Sequence, residues 1–220
     1  MKKTALLLIC IIATTNLFAQ KVFEGHINYS FKIMGEGMEA YEAMMPTSMD
    51  LYASKKGTMI KINGGMMEAM MGEVLSTPKE SYMIKHSEET AYIYKSDAAE
   101  KDDSPVVVKE DEVLTINGMS CQKYKVTTTT AQGEQTSYVW LNSDYTLPVM
   151  KGKGNDGMMA TGVPGVPGVP GIALKTMTST GPMTLVLSAT EFKTGKQDKK
   201  YFTIPKGYAK KDYEPGAMGF

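Results

Sequence analysis

The chain has 220 residues, with 24 basic and 24 acidic side chains and two histidines, so its formal charge is zero. Every basic residue is lysine. That leaves out the planar guanidinium fork best suited to phosphate and carboxylate, and the balanced charge implies no basic surface for nucleic acid.

Met1-Lys2-Lys3, an apolar run from Ala5 to Ile12, and Leu17-Phe18-Ala19 before Gln20 follow the order of a secretory signal peptide. Residues 1–19 are therefore expected to be removed, leaving the mature protein in the periplasm or outside the cell. The apolar run is too short to span a bilayer and no later window approaches one, so an integral membrane protein is not expected. Cys10 follows Leu7-Leu8-Ile9, where a lipidated cysteine needs a small neighbour, so an acyl anchor is not expected. The mature chain then keeps only Cys121, cannot form an internal disulfide, and must hold residues 20–213 together as one β-rich domain by core burial.

From Val22 to Ile33, Phe23, Ile27, Tyr29, Phe31 and Ile33 fall on one parity, and Glu24, His26, Asn28, Ser30 and Lys32 on the other. This alternation is that of a strand with one buried face. Met38 to Met45, ended by Pro46, predicts a short helix. Met49–Ala53 and Thr58–Ile62 predict a hairpin around Ser54-Lys55-Lys56-Gly57. Met67, Met70, Met71 and Val74 share the spacing of one helix face, which predicts a second short helix over Met66–Leu75. Ser81–Lys85 and Thr90–Tyr94 form the next expected hairpin, and the acidic stretch Ser96–Ser104 a solvated loop.

Val106 to Leu141 reads as a three-stranded meander in the middle of a large sheet, turning at Asn117-Gly118 and Gly133. Residues 151–171 end in three successive Val-Pro-Gly units and are expected to be a flexible surface loop with no core of its own and few buried contacts. Ile172–Thr178 and Met183–Phe192 predict a long hairpin around Gly181-Pro182, Tyr201–Ile204 a last short strand, and residues 214–220 a disordered tail. The fold class is thus mainly β: a curled antiparallel sheet, an open half-barrel of about ten strands with two short covering helices.

Chemistry is sparse along this chain. His26 and His86 lack metal-ligand spacing and are read as solvent-facing, and no nucleophile elbow, zinc-protease motif or phosphate loop is present. No enzyme and no cofactor are expected. Cys121 is read as a buried structural thiol. The nineteen methionines, several in doublets, suggest a deformable apolar surface. In the alternative, Met67, Met70 and Met71 form a Cu(I) site, since thioethers select that ion. A third reading is an envelope scaffold with no small ligand.

Phe23-Glu24-Gly25, Ile116-Asn117-Gly118 with Cys121-Gln122-Lys123-Tyr124, Val139-Trp140, Pro170 to Leu174, and Phe202 to Tyr208 carry a resemblance. Through them the chain resembles a family of secreted Gram-negative envelope proteins similar in shape to the LolA and LolB-like lipoprotein-carrier half-barrel. The resemblance implies a concave apolar face that holds an acyl chain, a lipid or a lipidated partner such as an envelope lipoprotein. Those carriers use a cavity arginine for release and this chain has no arginine, so no functional residue transfers. The expected cavity residues are Ile27, Tyr29, Phe31, Leu185 and Leu187, with Met67, Met70, Met71 and Val74 as a lid.

Overall fold

A computed structural model describes residues 20–35, 44–66, 68, 72–94, 105–130, 133–148, 165–166 and 168–213. Fourteen strands lie among them: β1 Lys21–Val22, β2 Gly25–Met34, β3 Ser48–Ser54, β4 Gly57–Asn63, β5 Glu73–Ser76, β6 Ser81–Lys85 and β7 Thr90–Tyr94 in the first half. The second half supplies β8 Val106–Ile116, β9 Met119–Thr130, β10 Gly133–Asn142, β11 Tyr145–Thr146, β12 Ile172–Thr180, β13 Met183–Thr194 and β14 Ala209–Asp212. Twelve of them form one sheet in the order β14-β7-β6-β5-β4-β3-β2-β13-β12-β10-β9-β8, while β1 and β11 pair separately. The sheet is open and curled, and its two ends do not pair, as expected of a half-barrel.

Local hairpins follow the sequence. Asn117 and Gly118 both take positive φ, as a primed two-residue turn requires. The meander β8-β9-β10 is present, but it lies at one end of the sheet with β8 as the edge. What occupies the middle is β2 against β13, a long-range pairing that aligns Ile27 with Phe192, Phe31 with Leu187 and Ile33 with Leu185.

Three expectations need correction. Val74 and Leu75 belong to strand β5, paired with Met83 and Tyr82, and not to a helix. Gly72 explains the break: it takes φ of +63°, and a Cβ there would sit 2.4 Å from the Ile84 carbonyl oxygen. Gly65, Met66 and Glu68 do have helical backbone, whereas Met67, Met70, Met71 and most of the predicted helix over Met38–Met45 lie outside the described residues.

Second, Lys199–Phe202 is a 3-10 turn capped by the Asp198 side chain, which accepts from the Lys200 amide. The last strand comes later, as β14, and pairs parallel to β7. Third, the valine-proline-glycine stretch contributes to the core: Val166 is 5% exposed and bridges to Val169. The predicted loop at Ser96–Ser104 and the tail over 214–220 fall outside the described residues.

The principal core cluster runs along the inner face, from Ile60 on β4 through Ile27, Tyr29, Leu51 and Leu187 to Val139 and Leu141 on β10. The Tyr29 hydroxyl crosses β13 to donate to the Ala173 carbonyl on β12 at 2.9 Å. A second cluster of Met59, Leu75, Tyr82, Ile84 and Ala91 lies on the outer face and is covered by Phe202 of the C-terminal strap.

Candidate functional site

The inner face changes character along its strands. Ile27 and Tyr29 on β2 are fully buried, as are Leu51 and Met49 beside them. Two residues further, Phe31 and Ile33 are only half-buried. The same transition occurs from Ile60 to Ile62 on β4 and from Leu187 to Leu185 on β13, and Val74, paired with Ile60, is half-buried too. Phe31, Ile33, Ile62, Val74 and Leu185 thus form an apolar strip at one end of the inner face. Of the cavity residues expected from sequence, Ile27, Tyr29 and Leu187 sit in the packed core and Phe31, Leu185 and Val74 on the strip. Met67, Met70 and Met71 lie outside the described residues.

Beside the strip, where β4, β5 and β6 end, is a cleft of about 640 Å³ lined by Lys61, Ile62, Glu68, Glu73, Lys85 and His86. Ile62 belongs to both features, so apolar strip and polar cleft are continuous. Glu73 organises the cleft, receiving Lys61 Nζ at 2.6 Å and lying 3.2 Å from His86 Nε2. The hydrogen bond to Glu73 raises the Lys61 pKa against a smaller opposing effect of burial. His86 Nδ1 is 2.7 Å from the Tyr208 hydroxyl, which ties the C-terminal strap to the rim. Glu68 accepts from the Gly64 amide at 2.7 Å, and Lys85 pairs with Glu88 at 3.2 Å.

A second polar group occupies the outer face, and it corrects the reading of His26 as solvent-facing. The His26 side chain is 17% exposed; its Nε2 lies 2.7 Å from Asp50 and its Nδ1 3.4 Å from Glu191. Its ring stacks on Tyr52, which stacks in turn on Tyr201 at 3.9 Å. Burial works to raise the Asp50 pKa, but hydrogen bonds from Asn28, His26 and Asn63 outweigh it and hold the carboxyl below its ordinary value. A β-bulge between Ala189 and Glu191 brings Glu191 to this group. Sequence reasoning missed the cage because its members come from β2, β3, β4 and β13. The one local sign was Asp50 on the polar parity of β3.

Cys121 is buried as expected, and burial pushes its thiol up to about 11, with Asp144 adding to the rise. Lys123, two residues along the same strand, is held by Glu110 at 2.9 Å and Glu112 at 3.0 Å. Glu112 also accepts from the Trp140 indole at 2.9 Å. Among the described residues no group of three or more His, Cys, Asp or Glu side chains could hold a metal, and no helix is long and apolar enough to cross a membrane.

Fold and site together define an open, curled β-sheet protein whose apolar inner face ends in a polar cleft. The chain belongs to the DUF4412 family, described as a domain of unknown function, which matches residues 23–208. No curated protein sequence matches it. A solved structure of PNGF-II in a C2 space group is similar over 87% of this chain and 31% of its own, with 15% identity and a TM-score of 0.48. The chain therefore spans less than a third of PNGF-II. A crystal structure of LprF from Mycobacterium bovis is similar over 84% of this chain and 90% of its own, with 11% identity and a TM-score of 0.33.

Proposed function

We propose that this is an exported, non-enzymatic binding protein that takes an apolar chain, as a free lipid or on a lipidated partner, along the inner face of its sheet. The observation that carries the reading is the strip Phe31, Ile33, Ile62, Val74 and Leu185, which extends a fully buried row into half-buried positions beside a cleft. Apolar residues aligned on one face and left half-covered gain free energy when a chain of methylenes covers them, by about 0.8 kcal/mol for each CH2 buried. The signal-like residues 1–19 support export, and mass spectrometry of protein from its native host should find a mature start at Gln20 or a residue or two away, with no acyl mass.

Titration with a fluorescent fatty acid tests the binding reading. Wild-type protein should bind the probe, and Phe31→Ser with Leu185→Ser should weaken it about tenfold while strand content by circular dichroism is kept. Failure of the wild type to bind any apolar probe, with no lipid in native mass spectra of gently purified protein, would refute it.

A further inference from the structure

We infer that the cleft beside the apolar strip is a headgroup site for a zwitterionic amphiphile, with the ammonium against Glu68 and Glu73 and the phosphate against Lys85. The inference rests on the apolar-chain reading for the tail, and adds the chemical class of the head.

Size and position come first. At about 640 Å³ the cleft lies within the range of small-molecule sites. It opens at the end of β4, where Ile62 faces the strip while Lys61, one residue earlier, lies on the opposite parity and pairs with Glu73. A chain lying on Phe31, Ile33 and Leu185 and passing over Ile62 would deliver its polar end into this cleft.

Charge decides the class of head. Two carboxylates, two lysines and a histidine line the same space, so an anionic head would meet Glu68 and Glu73 and a cationic head Lys61 and Lys85. A head carrying both signs meets complementary groups at both ends. Both His86 ring nitrogens are engaged, by Glu73 and Tyr208, but the carboxylates keep capacity: Glu73 receives one donor at each oxygen and Glu68 one amide, and each carboxylate oxygen has a further lone pair. Lys85 has three N–H donors, one of them directed at the exposed Glu88. A neutral head would leave these groups to water and gain nothing from them.

The test compares one acyl chain on three heads, using lysophosphatidylethanolamine, lysophosphatidylglycerol and monoacylglycerol in competition with a fluorescent fatty acid. The zwitterionic head should bind about tenfold more tightly than the uncharged one, with the anionic head between them. In the double variant Glu68→Gln, Lys85→Gln that ratio should fall towards one, while Lys56→Gln, on a distant hairpin turn, should keep it. Equal affinity for the three heads in wild-type protein would overturn the headgroup assignment and leave apolar-chain binding standing. A second arm uses glycerophosphoethanolamine, which has the head and no tail. Amide shifts at Gly72, His86 and Ser87 on its addition would support the cleft even if no acyl probe bound. Absence of those shifts, together with no head preference, would sink it.

Discussion

Asp50 joins three strands through one carboxylate, accepting from Asn28 on β2 at 2.8 Å and Asn63 on β4 at 2.8 Å, and lying 2.7 Å from His26 Nε2. Asp50→Ala would leave three half-buried side chains with only water to replace the acceptor. A hydrogen bond to a charged group contributes about 1.5–3 kcal/mol, and because one acceptor is shared and water has partial access, the expected cost is about 2–4 kcal/mol rather than the sum. For a domain of this size that lowers Tm by about 10 °C. Urea unfolding followed by Trp140 fluorescence would measure it.

The same node has a pH signature. The folded carboxyl titrates below its ordinary value of 3.8, so its contribution is complete above that value and is lost as pH falls through the folded pKa. The gap between wild type and Asp50→Ala should therefore be full at pH 7 and close progressively below pH 3.8. A variant whose urea midpoint matches wild type at pH 7, or a gap that stays constant into strong acid, would refute the reasoning.

Val166→Ala removes two buried carbons from the core cluster and should cost about 1–2 kcal/mol in urea unfolding, where a loop without core contacts would show no change. Tyr29→Phe leaves the buried Ala173 carbonyl without its hydroxyl donor and should cost about 1–3 kcal/mol by the same assay. Phe202→Ala uncovers the outer cluster and should cost about 3–5 kcal/mol, with raised binding of a hydrophobic dye. Cys121 should resist a thiol-specific reagent at pH 8 in native protein and react in urea, since its thiol is buried and its pKa raised.

Legibility in the sequence follows the range of the interaction that decides each element. The hairpin around Ser54–Gly57 and the meander turn at Asn117-Gly118 were readable because turn chemistry sits within a few residues of the strands it joins. Period-two alternation likewise put Ile27 and Tyr29 on the inner face before any partner was known. The pairing of β2 with β13 was not readable, because register between distant strands is set by packing that no short window contains. Tyr201-Phe202 has strand-like composition, yet Asp198 caps a 3-10 turn there and Phe202 docks as a plug. The methionine spacing suggested a helix as far as Leu75, but a steric demand at Gly72 from the neighbouring β6 backbone overrides it. At the candidate site, Phe31, Ile33 and Leu185 were visible as strand parity, whereas Val74 was expected on a helix face, and the cleft was not visible, since Lys61, Glu73 and His86 meet only through sheet pairing.

The parallel pairing of β14 with β7 has a consequence for how the chain is made. Among the described residues Thr90 pairs on its outer side with Ala209, and the cluster of Met59, Leu75 and Tyr82 is covered from the C-terminal strap by Phe202 with Tyr201, Ile204 and Tyr208. The chain emerges N-terminus first, from ribosome or export pore, so until the segment from Phe202 to Asp212 appears strands β4–β7 lack their outer partner and carry an apolar surface bare. Topology of this kind makes completion of the fold a late and slow event. A chaperone that shields Met59 to Ala91 until the final residues emerge would suppress aggregation, and truncation before Phe202 should yield insoluble material even though most strands are intact.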